Sequence, residues 1–87
     1  MPAPPTSTPR VADLRGERCP YTFIKARLAI EEMPAGGILE VVLDFRPAWE
    51  KVPASMAVLG HELVRWVEGP AEARTFIFRR GIEVEPA

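Results

Sequence analysis

The sequence predicts an α+β protein, a two-layer α/β sandwich in which two helices cover one face of a four-stranded mixed sheet. Two observations support this fold class. The 87 residues leave room for one hydrophobic core. Apolar residues recur with strand and helix spacing in the order β-α-β-α-β-β, and glycine or proline stands at most of the boundaries between segments.

The ends of the chain differ in composition from its centre. Residues 1–10 hold four of the ten prolines, together with serine and threonine. This composition predicts a disordered tail before a domain at residues 11–82, with a second short tail at 83–87.

The first half of the domain predicts a strand, a helix and a second strand. Residues 11–14 form a short strand that Gly16 ends, and Pro20 suits the first helical position because its missing N–H costs nothing there. A helical stripe follows at Phe23, Ala26, Ile30 and Met33 and ends at "PAGG". The nearly all-apolar run at 38–43 predicts a central strand buried on both sides.

The second half predicts a short helix and two strands. The helix is expected to start at Pro53 and end at Gly60, after a polar loop at 44–51. Strands follow at 61–68 and 74–80, and the alternation in the last one places Phe76 and Phe78 on one face.

Composition limits the functions that this chain can have. Eleven basic and twelve acidic residues give a formal charge of -1, so no direct contact with nucleic acid is expected. One cysteine excludes an internal disulfide, and one cysteine with one histidine cannot form an ordinary zinc site. The N-terminus resembles neither a signal peptide nor a membrane anchor, and a free thiol suits the cytoplasm. We therefore expect no metal, cofactor or membrane contact.

The single cysteine, Cys19, lies between a charged segment and Pro20. If the helix begins at Pro20, Cys19 is its N-cap, and the helix dipole together with Arg15 and Arg18 would favour thiolate over thiol. A lone cysteine is more often a small buried apolar residue. Position alone leaves a functional thiol and a structural one both open.

The run Asp13-Leu14-Arg15-Gly16-x-x-Cys19-Pro20 resembles the signature of the TusA/SirA-like sulfur-carrier family. The resemblance continues through "KARLAIEEM", "PAGGILEVVLD", Pro53, "LGHELV" and "FIFRRG", and so covers residues 11–81 in family order. The family fold is the two-layer sandwich expected above.

The resemblance implies a sulfur carrier that accepts sulfane sulfur as a persulfide on Cys19 and relays it to an acceptor protein. The donor would be a cysteine desulfurase or a rhodanese, and the acceptor would serve tRNA thiolation, cofactor maturation or sulfur metabolism. Such a protein is a sulfurtransferase-like carrier more than a self-contained enzyme, and it would work as a monomer. The alternatives are a regulatory or RNA/protein-interaction module in which Cys19 is incidental, and a peroxide-sensing thiol protein.

Carried over residue by residue, the resemblance makes Cys19 the carrier sulfur and Pro20 the residue that sets the helix start. Asp13, Arg15 and Gly16 would shape the loop and its charge. The family's Cys-Pro-x-Pro is Cys-Pro-Tyr-Thr here, a Cys-Pro-x-Thr variant. We expect the amide or the hydroxyl of Thr22 to point at the sulfur and support the thiolate.

The loop before the second helix departs further from the family pattern. Lys51 replaces the usual acidic residue, and Trp49 is a bulky addition. Because this loop helps to define partner surfaces in the family, Trp49 and Lys51 are candidate partner contacts, and Lys25 is a third.

The remaining candidates have structural explanations. His61 is expected to cap the second helix or open a strand, and Trp66 to pack in the sheet. Arg79 and Arg80 are expected to be solvated edge charges, and the two strand phenylalanines to pack in the core.

Overall fold

The computed structural model describes residues 10–18 and 20–81. Its elements in chain order are β1 (Arg10–Asp13), α1 (Tyr21–Glu31), β2 (Ile38–Leu43), α2 (Ala48–Val58), β3 (Glu62–Glu68) and β4 (Arg74–Arg79). This order confirms the predicted β-α-β-α-β-β. The expected tails lie outside the described residues, except for Arg10, with which β1 begins.

The four strands form one mixed sheet in the order β1-β2-β4-β3. β1 pairs with β2 in parallel, and the other two pairings are antiparallel. A parallel pair needs a crossover connection, which α1 provides. Because Asp13 lies opposite Val42, β1 and β2 end at the same edge of the sheet, and the loops that follow them meet there.

The core lies between the two helices and one face of the sheet, as predicted. Both strand phenylalanines, Phe76 and Phe78, are buried there. The other core side chains come from β2 (Leu39, Val41, Leu43), α1 (Ala26, Ile30), α2 (Ala48, Val52, Met56) and two loops (Leu14, Met33).

The prediction that the second strand is buried on both sides is wrong. Burial alternates strictly along β2, with Leu39, Val41 and Leu43 buried and the residues between them partly exposed. Both helices pack on one face only, so a continuous apolar run does not by itself show that a strand is covered twice.

The second helix begins five residues earlier than predicted. Pro53 lies inside α2, where it removes one backbone N–H donor, although the sequence suggested it as the first residue. Ala48, Val52 and Met56 recur every four residues and are fully buried. Their packing offsets the cost of the internal proline.

β3 is an edge strand, and all seven of its residues are exposed. Trp66, which was expected to pack in the sheet, is 45% exposed. It lies opposite Phe76, so it is on the helix-bearing face, but at a margin that leaves it half uncovered.

Candidate functional site

The candidate site lies where the loops after β1 and β2 meet. The Gly16 N–H donates to Asp44 Oδ1 at 2.9 Å and so ties the two loops together. Gly16 has a φ of +87°, which only glycine adopts without strain. Leu14 is buried, and its N–H donates to the Val42 carbonyl at 2.9 Å, so it anchors the start of the first loop.

A cavity of about 230 Å³ opens between these loops. It is lined by Gly16, Glu17, Arg18, Asp44 and Phe45. Asp44 and Phe45 were missed as site residues in the sequence. Their position in the sequence could have indicated them, because residues that directly follow two neighbouring parallel strands come together at one edge of the sheet.

Cys19 lies outside the described residues, and the residues on both sides of it define the position of the first helix. α1 begins at Tyr21 with Pro20 as its N-cap, one residue later than predicted. The Arg18 carbonyl accepts the N–H groups of Tyr21 and Thr22 at 2.7 and 3.2 Å. A backbone carbonyl therefore occupies donors of the first turn, and Cys19 precedes the N-cap in the chain instead of being the N-cap itself.

Thr22 is fully buried at the start of α1. Since its amide donates to the Arg18 carbonyl, that amide serves the first helical turn. The hydroxyl is the group through which Thr22 would support the thiolate, and this role stays a prediction.

Asp13 and Arg15 form a tight pair on the surface of the loop. Arg15 Nε and Nη2 donate to the two carboxylate oxygens at 2.9 and 2.7 Å, and the Arg15 N–H donates to Oδ1 at 3.2 Å. These bonds, the side-chain ones first, hold the pKa of Asp13 below its usual value and raise the pKa of Arg15. The charge of Arg15 is therefore balanced inside the loop.

The other two cations near the loop differ from each other. Lys25 Nζ lies 2.7 Å from Glu17 Oε2, so its charge is also balanced. The exposed Arg18 side chain has no ion pair or hydrogen bond within residues 10–18 and 20–81. Arg18 is therefore the uncompensated positive charge of the described part of the loop.

The other predicted residues are spread over the fold. Trp49 is half-buried in the first turn of α2, and its Nε1–H donates to the Leu43 carbonyl at 3.3 Å. Lys51 is exposed two residues further along that helix. Lys25 lies in α1 and pairs with Glu17, as described above, so the three candidate partner contacts are divided between the two helices.

The residues that were expected to have structural roles make contacts within the fold. His61 is buried directly after α2, where its N–H donates to the Met56 carbonyl at 3.0 Å. His61 Nδ1 accepts the Gly81 N–H at 3.1 Å. Arg79 pairs with Glu62 at 3.1 Å, and Arg80 Nη1 donates to the Met33 carbonyl at 2.6 Å.

Two features of the described residues bear on other kinds of function. Among the residues that the structure describes, no group of three or more His, Cys, Asp or Glu side chains is placed to hold a metal ion. Within the same residues, neither helix has the length and apolar character needed to cross a membrane.

Comparison with known proteins agrees with the loop signature. The family described as "Sulfurtransferase TusA" matches residues 10–80. An Archaeoglobus fulgidus protein named "Putative sulfur carrier protein" is 50% identical over 62% of this chain, and the match spans 61% of that relative's length. A Thermotoga maritima protein of the same name is 36% identical over 78% of this chain and 87% of its own.

A solved structure supports the fold. The SirA-like protein from Desulfitobacterium hafniense superposes with a TM-score of 0.72 at 22% identity, covering 82% of this chain and 96% of its own. Sequence and fold agree, and the chain belongs to the TusA/SirA-like sulfurtransferase family.

Proposed function

We propose that the protein is a sulfur carrier that accepts sulfane sulfur as a persulfide on Cys19 and relays it to an acceptor protein. The observation that carries the proposal is the loop leading to Cys19. Its backbone is anchored by Leu14 and by the Gly16–Asp44 bond, while Arg18, next to Cys19 in the chain, has no ion pair with any of the described residues. A neighbouring cation favours the thiolate, which is the nucleophilic form of cysteine.

Sulfur transfer to Cys19 needs no external oxidant or reductant. The Cys19 thiolate attacks the outer sulfur of the donor persulfide, and a new bond forms between the two sulfur atoms. The S–S bond of the donor breaks, and its electron pair leaves with the donor thiolate. In delivery, a nucleophile of the acceptor attacks the outer sulfur on Cys19, and the Cys19 thiolate is the leaving group.

The loop residues have positioning roles in this proposal. The Asp13–Arg15 pair and Gly16 hold the shape of the loop, and Pro20 and the buried Thr22 hold the start of α1. None of these groups is needed as an acid or base, because the reaction exchanges thiolates.

A sulfur carrier works with donor and acceptor proteins, and membership of this family supports both in general. We propose a cysteine desulfurase or a rhodanese as the donor class. We propose an acceptor in tRNA thiolation, cofactor maturation or sulfur metabolism. A cytoplasmic monomer that presents one loop to successive partners fits this work.

Intact-protein mass spectrometry tests the proposal. The protein is incubated with a cysteine desulfurase and free cysteine, or with a rhodanese and thiosulfate, and is measured before and after dithiothreitol. We expect a gain of one sulfur atom that the reductant removes, and no gain in Cys19→Ser. Absence of any gain with both donors would reject the carrier function.

Two further measurements separate the alternatives. A peroxide sensor would form sulfenic acid with mild oxidant and would take no sulfur from either donor. A regulatory module with an incidental cysteine would keep its function in cells that carry Cys19→Ser, whereas a carrier would lose it.

A further inference from the structure

One cluster on the surface has no part in the sulfur chemistry described above. The guanidinium carbon of Arg74 lies 4.0 Å from the ring centroid of Trp49 and 4.1 Å from that of Trp66. Arg74 is therefore stacked between two indole rings, an arrangement in which the π-systems attract the cation. We call these three residues the Trp–Arg–Trp stack.

We propose that the Trp–Arg–Trp stack is the docking contact for the proteins that exchange sulfur with Cys19, and that it binds an acidic side chain on them. This inference rests on the proposed sulfur-carrier function. It adds the surface by which the carrier recognises its partners and the chemistry of the group that is recognised.

The composition and exposure of the stack are those of an interface. Trp66 is 45% exposed on the edge strand β3 and is not a member of the core cluster. On the same face of β3, Leu63 is 37% exposed. Tryptophan and arginine are the residue types that most often dominate the binding energy of interfaces. Trp49 packs partly against the core, whereas Trp66 provides large, partly uncovered aromatic area outside it.

The guanidinium of Arg74 has donors to spare. Within the described residues, Arg74 has one ion pair, a long contact of 3.4 Å from Nη2 to Glu68, whose side chain is 72% exposed. Contact with both rings restrains the guanidinium, so its N–H groups are held in place before a partner arrives. A planar fork of this kind fits a carboxylate through two parallel hydrogen bonds. A partner carboxylate can take the place of the loosely held Glu68.

Local charge favours a protein carboxylate over nucleic acid. In the β3–β4 hairpin, Glu68 pairs with Arg74 and Glu72 pairs with Arg46, so two acids balance the two cations of this surface. A phosphate backbone carries many charges and needs a basic surface, which these two acids oppose. A single carboxylate needs one fork.

The stack also lies at the correct end of the sheet. Arg74 opens β4 directly opposite Leu43, the last residue of β2. Arg46 follows Phe45, and its guanidinium carbon lies 5.6 Å from the Trp49 ring centroid. Phe45 lines the cavity beside the loop at residues 14–18 that leads to Cys19, which we call the thiol loop. A partner that covers this cavity therefore lies at the end of the sheet that carries the stack.

The test compares sulfur loading by a protein donor with loading by a small molecule. Trp66→Ala is paired with Val67→Ala, because Val67 is the next residue, is 44% exposed and faces the other side of the sheet. With the cysteine desulfurase, we expect the KM for carrier to rise about tenfold in Trp66→Ala and to stay within about twofold in Val67→Ala. Loading by inorganic polysulfide should be equal in both variants and in wild type, after circular dichroism has confirmed that all are folded.

A second pair of variants tests the recognised group. Arg74→Lys keeps the charge but loses the planar fork, so it should raise the KM about as much as Arg74→Gln does. A Lys variant with the wild-type KM would overturn the carboxylate assignment.

The outcomes for the two proposals differ. Equal KM values for Trp66→Ala and Val67→Ala would overturn the docking surface and leave the carrier function standing. Failure of wild type to load from any protein donor, with polysulfide loading intact, would reject the carrier function itself. Quenching of Trp66 fluorescence by single-stranded RNA at physiological salt would favour nucleic acid and overturn the protein partner.

Discussion

The two ends of the sheet are held together in different ways. At the end away from the thiol loop, two backbone hydrogen bonds join neighbouring segments. The Gly36 N–H donates to the Arg80 carbonyl and the Arg80 N–H donates to the Gly37 carbonyl, both at 2.8 Å. Gly81 and Gly60 are packed so closely that a Cβ on Gly81 would overlap the Gly60 carbonyl. We call this the closed end.

Apart from the backbone bond from Leu14 to Val42, the thiol end is held by side chains. Gly16 bonds the carboxylate of Asp44, and the Asp13–Arg15 and Glu17–Lys25 pairs are largely exposed. Exposed pairs of this kind contribute little to stability because solvent and salt screen them. The difference indicates that the closed end supplies stability, while the thiol end keeps its loops and its cavity accessible to a partner.

The strongest test of this contrast is Gly81→Ala at the closed end. The added methyl group must push the Gly60 backbone away, and overpacking of this kind costs about 3 kcal/mol. Urea denaturation should show the loss of unfolding free energy. Sulfur loading per folded molecule should be unchanged, and a loss below about 1 kcal/mol would show that the closed end is not tightly packed.

A glycine pair separates stability from function. Gly16 and Gly36 have φ values of +87° and +83°, and a Cβ on either would meet nothing within 4 Å. Alanine at either position should therefore cost about 1 to 2 kcal/mol for backbone strain alone. Only Gly16→Ala should slow the alkylation of Cys19 by iodoacetamide, because only that loop leads to the thiol.

Equal alkylation rates in the two glycine variants would contradict a special role for the thiol loop. Unequal stability losses, measured in urea, would show instead that one of the two turns relaxes its strain.

Much of the fold could be predicted because strand alternation survives in the sequence. The alternation of Phe76 and Phe78 indicates the buried face of β4, and the spacing of apolar residues predicts the order of elements. The start of α2 was missed because the proline at position 53 outweighed the spacing of Ala48, Val52 and Met56. Proline marks a probable boundary, but packing decided the outcome here.

The site was predictable only where it is local in sequence. The loop signature pointed to residues 13–22, whereas Asp44 reaches the site through the parallel pairing of β1 and β2. The Glu17–Lys25 pair joins a loop to a helix, and sequence spacing does not reveal it. Trp66 was expected to be covered because a sequence does not show which strand lies at the edge.

The charge of Arg18 is expected to have a smaller effect than the glycine substitutions, and this effect is on the rate of Cys19 alkylation. Arg18→Gln removes the uncompensated cation, whereas the matched Arg15→Gln removes one that Asp13 already balances. The rate of Cys19 alkylation near neutral pH should fall about two- to fivefold in Arg18→Gln and less in Arg15→Gln.

Salt provides the internal check on this comparison. Because Arg18 is exposed, about 1 M salt should screen its effect and bring the two variants together. A larger effect of Arg15→Gln at low salt would mean that the Asp13 pair, and not the free cation, controls the thiol.

The smallest effect should come from acid, and it is confined to the thiol end. The pKa of Asp13 is lowered in the folded protein, so its pairing with Arg15 contributes fully above the ordinary carboxyl pKa of 3.8 and is lost as the pH falls through the lower folded value. The pair is exposed, and the contribution is correspondingly small. NMR titration of the Asp13 carboxyl should give a midpoint below that of an unfolded carboxyl, and Arg15→Gln should raise this midpoint towards the ordinary value, with the backbone N–H of residue 15 keeping part of the lowering. Amide signals of Gly36 and Gly81 at the closed end should not follow this titration, because neither amide depends on a surface carboxylate. If they did follow it, the two ends would be coupled and the contrast between them would be wrong.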